Sequence, residues 1–174
     1  MNMSIEYFIS YKYYTMQTNI MVTLWWTLAI IWHKKPEKRQ KISAFKGAFT
    51  LYITVTFIIF AILLSGLYQP TGYAAFTNLI LHYITPIAFI LDYLVIETKT
   101  KYEWKYLIYW ILYPLAYLIF AQINGALTGN YLYYFLDVDA LGIPILILAV
   151  GFLVIFFLAL GIIYLIVNRK RGRV

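Results

Sequence analysis

The chain has 174 residues, of which 63% are hydrophobic and 12% are charged, and its mean hydropathy is +0.76. Globular domains carry about 25% charged residues, so this composition excludes a soluble domain and a disordered chain. The absence of cysteine excludes disulfides, thiol catalysis and thiolate metal sites. A membrane protein of several spans remains, without enough further length for a soluble domain of ordinary size.

Long apolar stretches predict an all-α transmembrane bundle of five spans, forming a single domain over residues 1–174. Each stretch is long enough to cross about 30 Å of hydrocarbon as a helix. The spans run from about Tyr13 to Trp32, Phe45 to Tyr68, Ala74 to Ile96, Trp104 to Ile123 and Pro144 to Val167. Residues 1–12 lack the basic and apolar regions of a signal peptide.

The basic residues that give the chain its net charge of +7 are distributed according to the predicted topology. All basic residues except Lys12 fall on one side of the five spans, in the loop after the first span, the loop after the third span and the C-terminal tail. The positive-inside rule therefore predicts a multi-pass cell-membrane protein with a cytosolic C-terminus. It also predicts contact with membrane lipids and argues against nucleic acid as a partner.

Polar residues inside the apolar spans are the default candidates for function, because they are costly in hydrocarbon. In the first span, Thr15, Thr18 and Asn19 share one helix face by their spacing. In the third span, Asn78, His82, Thr85 and Asp92 share another. Helical rise places Thr15, Thr18 and His82 at similar heights in the outer leaflet. A contact between the two spans is therefore possible.

A threonine becomes a nucleophile when a general base removes its proton, and histidine is the usual base. This chemistry makes Thr15 and His82 the candidate catalytic pair. An alternative is that the threonines only bond to backbone carbonyls or join helices. For Asn78 and Asp92 we favour structural polar contacts or the lining of a water cavity. No cofactor and no metal are predicted, because Asp92 is about 15 Å along the helix from His82.

The longest outer connection, residues 124–142, is rich in aromatic side chains. They are expected either to lie in the membrane interface or to fold over the mouth of a pocket. Gly125 and Gly129 are predicted to be turn residues in this connection. In the fourth span, Pro114 predicts a kink, and a tyrosine stripe that includes Tyr113 and Tyr117 is typical of helix packing.

Several segments resemble a group of small bacterial integral membrane proteins, which is similar to the eukaryotic androgen-induced-gene family of membrane hydrolases. They are Tyr14-Thr15-Met16-Gln17-Thr18-Asn19, Leu81-His82-Tyr83-Ile84-Thr85-Pro86, Tyr113-Pro114-Leu115-Ala116-Tyr117, Gly125-Ala126-Leu127-Thr128-Gly129 and the aromatic block from Tyr131 to Val138. The resemblance implies a threonine hydrolase that cleaves fatty acid esters of hydroxy fatty acids, with Thr15 and His82 at the family's catalytic positions. That family usually has one more helix before the first span, so the resemblance implies a sixth helix that is missing here or lies upstream of Met1.

The sequence therefore leads to the hypothesis of an intramembrane hydrolase of lipid acyl esters, with Thr15 as nucleophile and His82 as base. Its site is expected toward the outer leaflet, with Asn19 or Asn78 as the candidate oxyanion partner. A non-catalytic lipid- or small-molecule-binding protein and a structural membrane subunit are the alternatives. The residues predicted to contact substrate are Thr18, Asn19, Asn78, Thr85, Tyr113, Tyr117 and Tyr133.

Overall fold

The computed structural model describes residues 10–96 and 100–171, which are mainly helical and contain no strand. The helices are α1 (Tyr14–Ile31), α2 (Pro36–Lys41), α3 (Ser43–Ile59), α4 (Gly72–Leu79), α5 (Thr85–Ile96), α6 (Tyr106–Thr128), α7 (Val138–Leu141) and α8 (Ile143–Arg171). A π-helical turn, Phe60–Leu64, extends α3, and a second one, Ile80–Ile84, joins α4 to α5. The predicted all-helical fold is thus confirmed. Lys99 and Arg173, two residues used to predict sidedness, lie outside the described residues.

Four helical segments within the described ranges are long and apolar enough to cross a membrane. They are Ser43–Leu64, Gly72–Val95, Tyr106–Thr128 and Val138–Arg171. The helix α1 is not among them, because Thr15, Gln17, Thr18 and Asn19 lower the mean hydropathy of its first two turns. The predicted total of five spans therefore stays a prediction.

The chain forms two compact units. Unit 1 contains residues Met1–Glu103 and Tyr164–Val174, and unit 2 contains Trp104–Ile163. Within unit 1, α1 packs against α3 and α5, and α3 also packs against α5. The buried core where they meet contains Val22, Trp25, Ile53 and Phe89.

Polar contacts attach the last turns of α8 to the rest of unit 1. The Tyr164 hydroxyl lies 2.6 Å from Thr54 Oγ1, and the Tyr93 hydroxyl donates to the Tyr164 carbonyl. Asn168 accepts a hydrogen bond from the Tyr102 backbone N–H and donates one to the Thr100 carbonyl. Because Asn168 is buried, these bonds satisfy an amide that would otherwise destabilise the helix end.

In unit 2, α6 continues five residues beyond the predicted end of its span, to Thr128. Gly125 is therefore helical and not a turn residue, and its bare surface contacts the ring of Tyr131. Gly129 ends the helix with φ of +69°, a conformation that favours glycine, and its N–H bonds to the Gly125 carbonyl. The connection beyond it is not a plain loop, since Asp137 caps α7 through its side-chain oxygen.

Candidate functional site

The side chains of Thr15 and His82 meet between α1 and the π-helical turn that joins α4 to α5. Thr15 Oγ1 lies 3.2 Å from His82 Nε2. Thr15 is in the first turn of α1, and both side chains are partly exposed. The two residues that the sequence singled out are thus within hydrogen-bonding distance, although they are 67 positions apart.

The other ring nitrogen of His82 determines the direction of this hydrogen bond. His82 Nδ1 lies 3.1 Å from the backbone carbonyl of Asn78, one turn earlier. A carbonyl oxygen only accepts, so Nδ1 carries the proton of a neutral imidazole and Nε2 has the free lone pair. Thr15 therefore donates its hydroxyl proton to Nε2. This is the arrangement of a nucleophile and a base in which a third group orients the base.

An aromatic ring holds the imidazole from one face. The Phe60 ring is nearly parallel to the His82 ring, at an angle of 16° and a centroid distance of 3.7 Å. Phe60 is buried and begins the π-helical turn at the end of α3. Its packing fixes the imidazole plane, while the Asn78 carbonyl fixes the rotation of the ring within that plane.

Pro86 explains why the helix widens at His82 and why Asn19 is needed beside it. At the end of the turn, the Thr85 N–H bonds to the Ile80 carbonyl five residues earlier. Pro86 has no N–H, so it cannot bond to the next carbonyl, that of Leu81. The Asn19 amide nitrogen donates to that oxygen at 3.1 Å, and it also donates to the Thr15 carbonyl at 2.8 Å. Asn19 thus links the backbones that carry Thr15 and His82.

Thr18, which precedes Asn19 on α1, joins this helix to α3. Its hydroxyl oxygen lies 2.8 Å from Thr56 Oγ1 and 3.1 Å from the Thr15 carbonyl. Thr18 is almost fully buried, with 1% of its surface exposed. Its position is therefore typical of helix packing, and its predicted contact with a substrate stays a prediction.

The amide oxygens of two asparagines that form hydrogen bonds with Thr15 or His82 have no partner within the described part of the chain. Both Asn19 Oδ1 and Asn78 Oδ1 are buried and unbonded. Asn19 already uses its amide nitrogen for two carbonyls, so it has no N–H left for an oxyanion. The Asn78 side chain makes no hydrogen bond to another described residue, and its amide group remains available. Of the two candidates for the oxyanion partner, the geometry therefore favours Asn78.

The other predicted substrate contacts are distributed over both units. Thr85 follows the π-helical turn in unit 1, and its side chain makes no hydrogen bond to a described residue. Tyr113, Tyr117 and Tyr133 belong to unit 2. Tyr117 is buried and packs near Phe120, and Tyr133 stacks on Phe135. The roles of these four residues stay predictions.

A second polar cluster, at the other end of α1, was not predicted as such. Lys46 Nζ lies 3.1 Å from Asp92 Oδ1, and Trp26 Nε1 donates to Asp92 Oδ2 at 3.1 Å. Lys46 is one of the basic residues on the side predicted to be cytosolic, and the structure buries it. The signal was present, because a lysine and an aspartate lie near the ends of two neighbouring apolar segments.

No group of three potential metal ligands occurs among the residues that the structure describes. No family model, curated protein or solved structure matches the chain. The hydrogen bonds and packing around Thr15 and His82 are therefore the basis for the functional argument.

Proposed function

We propose that the chain is an intramembrane hydrolase of lipid acyl esters, with Thr15 as nucleophile and His82 as general base. The observation that carries the proposal is the 3.2 Å contact between Thr15 Oγ1 and the nitrogen of His82 that has the free lone pair. Fatty acid esters of hydroxy fatty acids, or similar esters, are the proposed substrates.

The reaction would follow the two-step course of acyl transfer. Thr15 Oγ attacks the ester carbonyl carbon while its proton moves to His82 Nε2. The tetrahedral intermediate collapses, the C–O bond to the leaving alcohol breaks, and His82 returns the proton to that alcohol. A water molecule then attacks the acyl-threonine with His82 again as base, which releases the fatty acid and restores the Thr15 hydroxyl.

Asn78 is the proposed oxyanion donor. It precedes His82 by one helical turn, and its side chain has no partner among the described residues. A donor aimed at the developing oxyanion contributes about 3 kcal/mol in enzymes of this chemistry. A hydrolase in which Asn78 acts in this way would lose turnover when Asn78 is replaced by Ala, and the binding of substrate would change less.

The membrane arrangement belongs to the same proposal. We place α1 as a fifth span, because its 18 residues extend about 27 Å and pack beside α3. The positive-inside rule puts the C-terminus in the cytosol and the Thr15 end of α1 toward the outer leaflet of the cell membrane. Exposed apolar side chains on α4, including Phe76 and Leu79, then face the lipid from which an ester would enter laterally.

The test uses the full-length protein in lipid nanodiscs with a panel of lipid esters and a fluorophosphonate probe. Hydrolysis and labelling are expected for the unmodified protein and for Thr15→Ser, and they are expected to disappear in Thr15→Ala and His82→Gln. Thr23→Ala is the matched control, because Thr23 lies on the same helix and bonds only to the Asn19 carbonyl. Labelling that survives both Thr15→Ala and His82→Gln would exclude this pair.

Non-catalytic binding of a lipid or small molecule is the second candidate. The two unbonded amide oxygens of Asn19 and Asn78 favour it, because a bound hydroxyl or amine would satisfy them. A protein of this kind would retain lipid through purification, hydrolyse no ester in the panel and leave the probe unreacted. Thr15→Ala would then change ligand retention only.

A further inference from the structure

A cavity of about 830 Å³ lies in unit 1, at the end of α1 opposite Thr15. Trp25, at its inner wall, follows Thr15 by ten residues, which corresponds to about 15 Å along the helix. The cavity is therefore separate from the Thr15–His82 pair. We call it the Arg39 cavity, after the residue that gives it its charge.

The Arg39 cavity has one apolar wall and one polar wall. Trp25, Ala29 and Ile30 form the apolar wall, all on α1. The polar wall contains His33, Arg39, Gln40 and Lys46. Ile30 is 73% exposed at the cavity edge, so the apolar wall continues to the outer surface of the helix. Such a site suits an amphiphile with a polar head and an apolar tail, more than a small hydrophilic ion.

Arg39 determines the sign of the charge that a bound head group should carry. The charges of Lys46 and Asp92 in the cavity wall neutralise each other at 3.1 Å. The Arg39 side chain forms no hydrogen bond or ion pair with another described residue, and its Nε atom is buried. A buried guanidinium nitrogen without a partner is costly, and an anionic oxygen from a ligand would remove that cost.

The surroundings reinforce this preference for an anion. Lys34, Lys35, Lys38 and Lys41 are exposed around Arg39 on the same connection and add positive potential. Guanidinium groups bind phosphate oxygens through paired, charge-assisted hydrogen bonds. These features together fit a phosphate group that is attached to an acyl chain.

We propose that the Arg39 cavity binds the phosphate-bearing headgroup of an anionic lipid, with Arg39 as the main contact and the α1 wall against the start of an acyl chain. This site does not depend on the hydrolase proposal, because it uses other residues and requires no reaction. It predicts selective retention of anionic lipid by the folded protein.

The experiment measures lipid binding to the delipidated full-length protein by native mass spectrometry. Phosphatidylglycerol is the anionic probe, and phosphatidylcholine with the same chains is the zwitterionic control. We expect phosphatidylglycerol to bind at least about tenfold more tightly, and Arg39→Gln to remove most of this preference. The matched control is Lys41→Gln, because it removes the same charge from the same short helix at an exposed position.

A second variant keeps every charge and fills the cavity. Ala29→Phe is expected to weaken phosphatidylglycerol binding while the thermal unfolding temperature stays close to that of the unmodified protein. Equal losses in Arg39→Gln and Lys41→Gln would overturn the proposal, because they would indicate diffuse attraction to the basic loop. Equal binding of the two lipids would also overturn it.

A competition arm distinguishes the source of the phosphate. Glycerol phosphate and inorganic phosphate are added at millimolar concentration to the complex with phosphatidylglycerol. The lipid is expected to remain bound, because the apolar wall contributes to its affinity. Displacement of the lipid by glycerol phosphate or inorganic phosphate at these millimolar concentrations would overturn the assignment to a lipid.

Discussion

The ring of Phe60 stacks on the imidazole of His82 at a centroid distance of 3.7 Å, and the Nε2 atom of the same imidazole faces Thr15. We expect Phe60→Leu to loosen the imidazole plane and to lower kcat about tenfold or more, because small displacements of a catalytic group are costly. KM should change less. Ester hydrolysis in nanodiscs provides the measurement.

Phe57→Leu is the control for this prediction. Phe57 lies one turn earlier on α3, and its ring packs edge-on against Tyr83, whereas the ring stacked on His82 is that of Phe60. If both variants lowered kcat equally, the stacking on His82 would have no specific role in catalysis.

The rate of ester hydrolysis is expected to depend on the protonation of His82. A protonated imidazole has no lone pair to accept the Thr15 proton, so kcat should fall as pH decreases through the His82 pKa. On the acidic side of the pH profile, kcat should approach a tenfold loss per pH unit. Any residual hydrolysis by His82→Gln should not show this decrease of kcat with falling pH. A kcat that stays constant down to the pH of unfolding would argue against a histidine base.

Asn19→Ala should destabilise the protein and also reduce turnover. It leaves the Leu81 carbonyl without its donor, and an unsatisfied buried carbonyl costs about 1–3 kcal/mol. Thermal unfolding in detergent gives the stability change. The control is Thr27→Ala, an exposed position on the same helix whose hydroxyl bonds only to the Thr23 carbonyl. Equal unfolding temperatures for the two variants would contradict the proposed link.

Breaking the Lys46–Asp92 ion pair from one side should be more harmful than removing both charges. Lys46→Met leaves Asp92 without its cation and is expected to cost about 3 kcal/mol. The double variant Lys46→Met/Asp92→Asn should recover part of that loss. Denaturant titration of all four proteins in a double-mutant cycle measures the coupling. Strictly additive losses would mean that the pair contributes no coupling.

Gly125→Ala should disturb the connection after α6. The added methyl group would collide with the ring of Tyr131, and the cost of overpacking is about 1–3 kcal/mol. Gly66→Ala is the control, since nothing lies within 4 Å of a methyl group there. Adding Tyr131→Ala to Gly125→Ala should reduce the loss, as the thermal unfolding temperature would report.

Part of the site was predictable from sequence because polarity and helical rise are local properties. They placed Thr15 and His82 at similar depth, and the structure brings them within 3.2 Å. Their catalytic roles stay predictions, as does the family resemblance. The support around the pair was not predictable from an ideal helical period, because the π-helical turn changes that period at His82. The absent N–H of Pro86 was visible in the sequence, but its compensation by Asn19 required the fold.

The second cluster was missed for a different reason. Lys46 is one of many lysines on the side predicted to be cytosolic. A count of charges treats each of them only as an indicator of that side. Only the packing of α3 against α5 distinguishes it, by burying Lys46 against Asp92. The order of contacts among helices is not encoded in the composition of any one span.

The ion pair between Lys46 and Asp92 has a consequence for biogenesis. Each residue belongs to a different apolar segment, Ser43–Leu64 or Gly72–Val95. Either charge alone makes insertion of its segment into lipid more costly. Only seven residues, 65–71, separate the two segments, so both are available together soon after synthesis. In the proposed membrane setting, these two helices would therefore leave the translocation machinery as a paired hairpin, with the charges already neutralised.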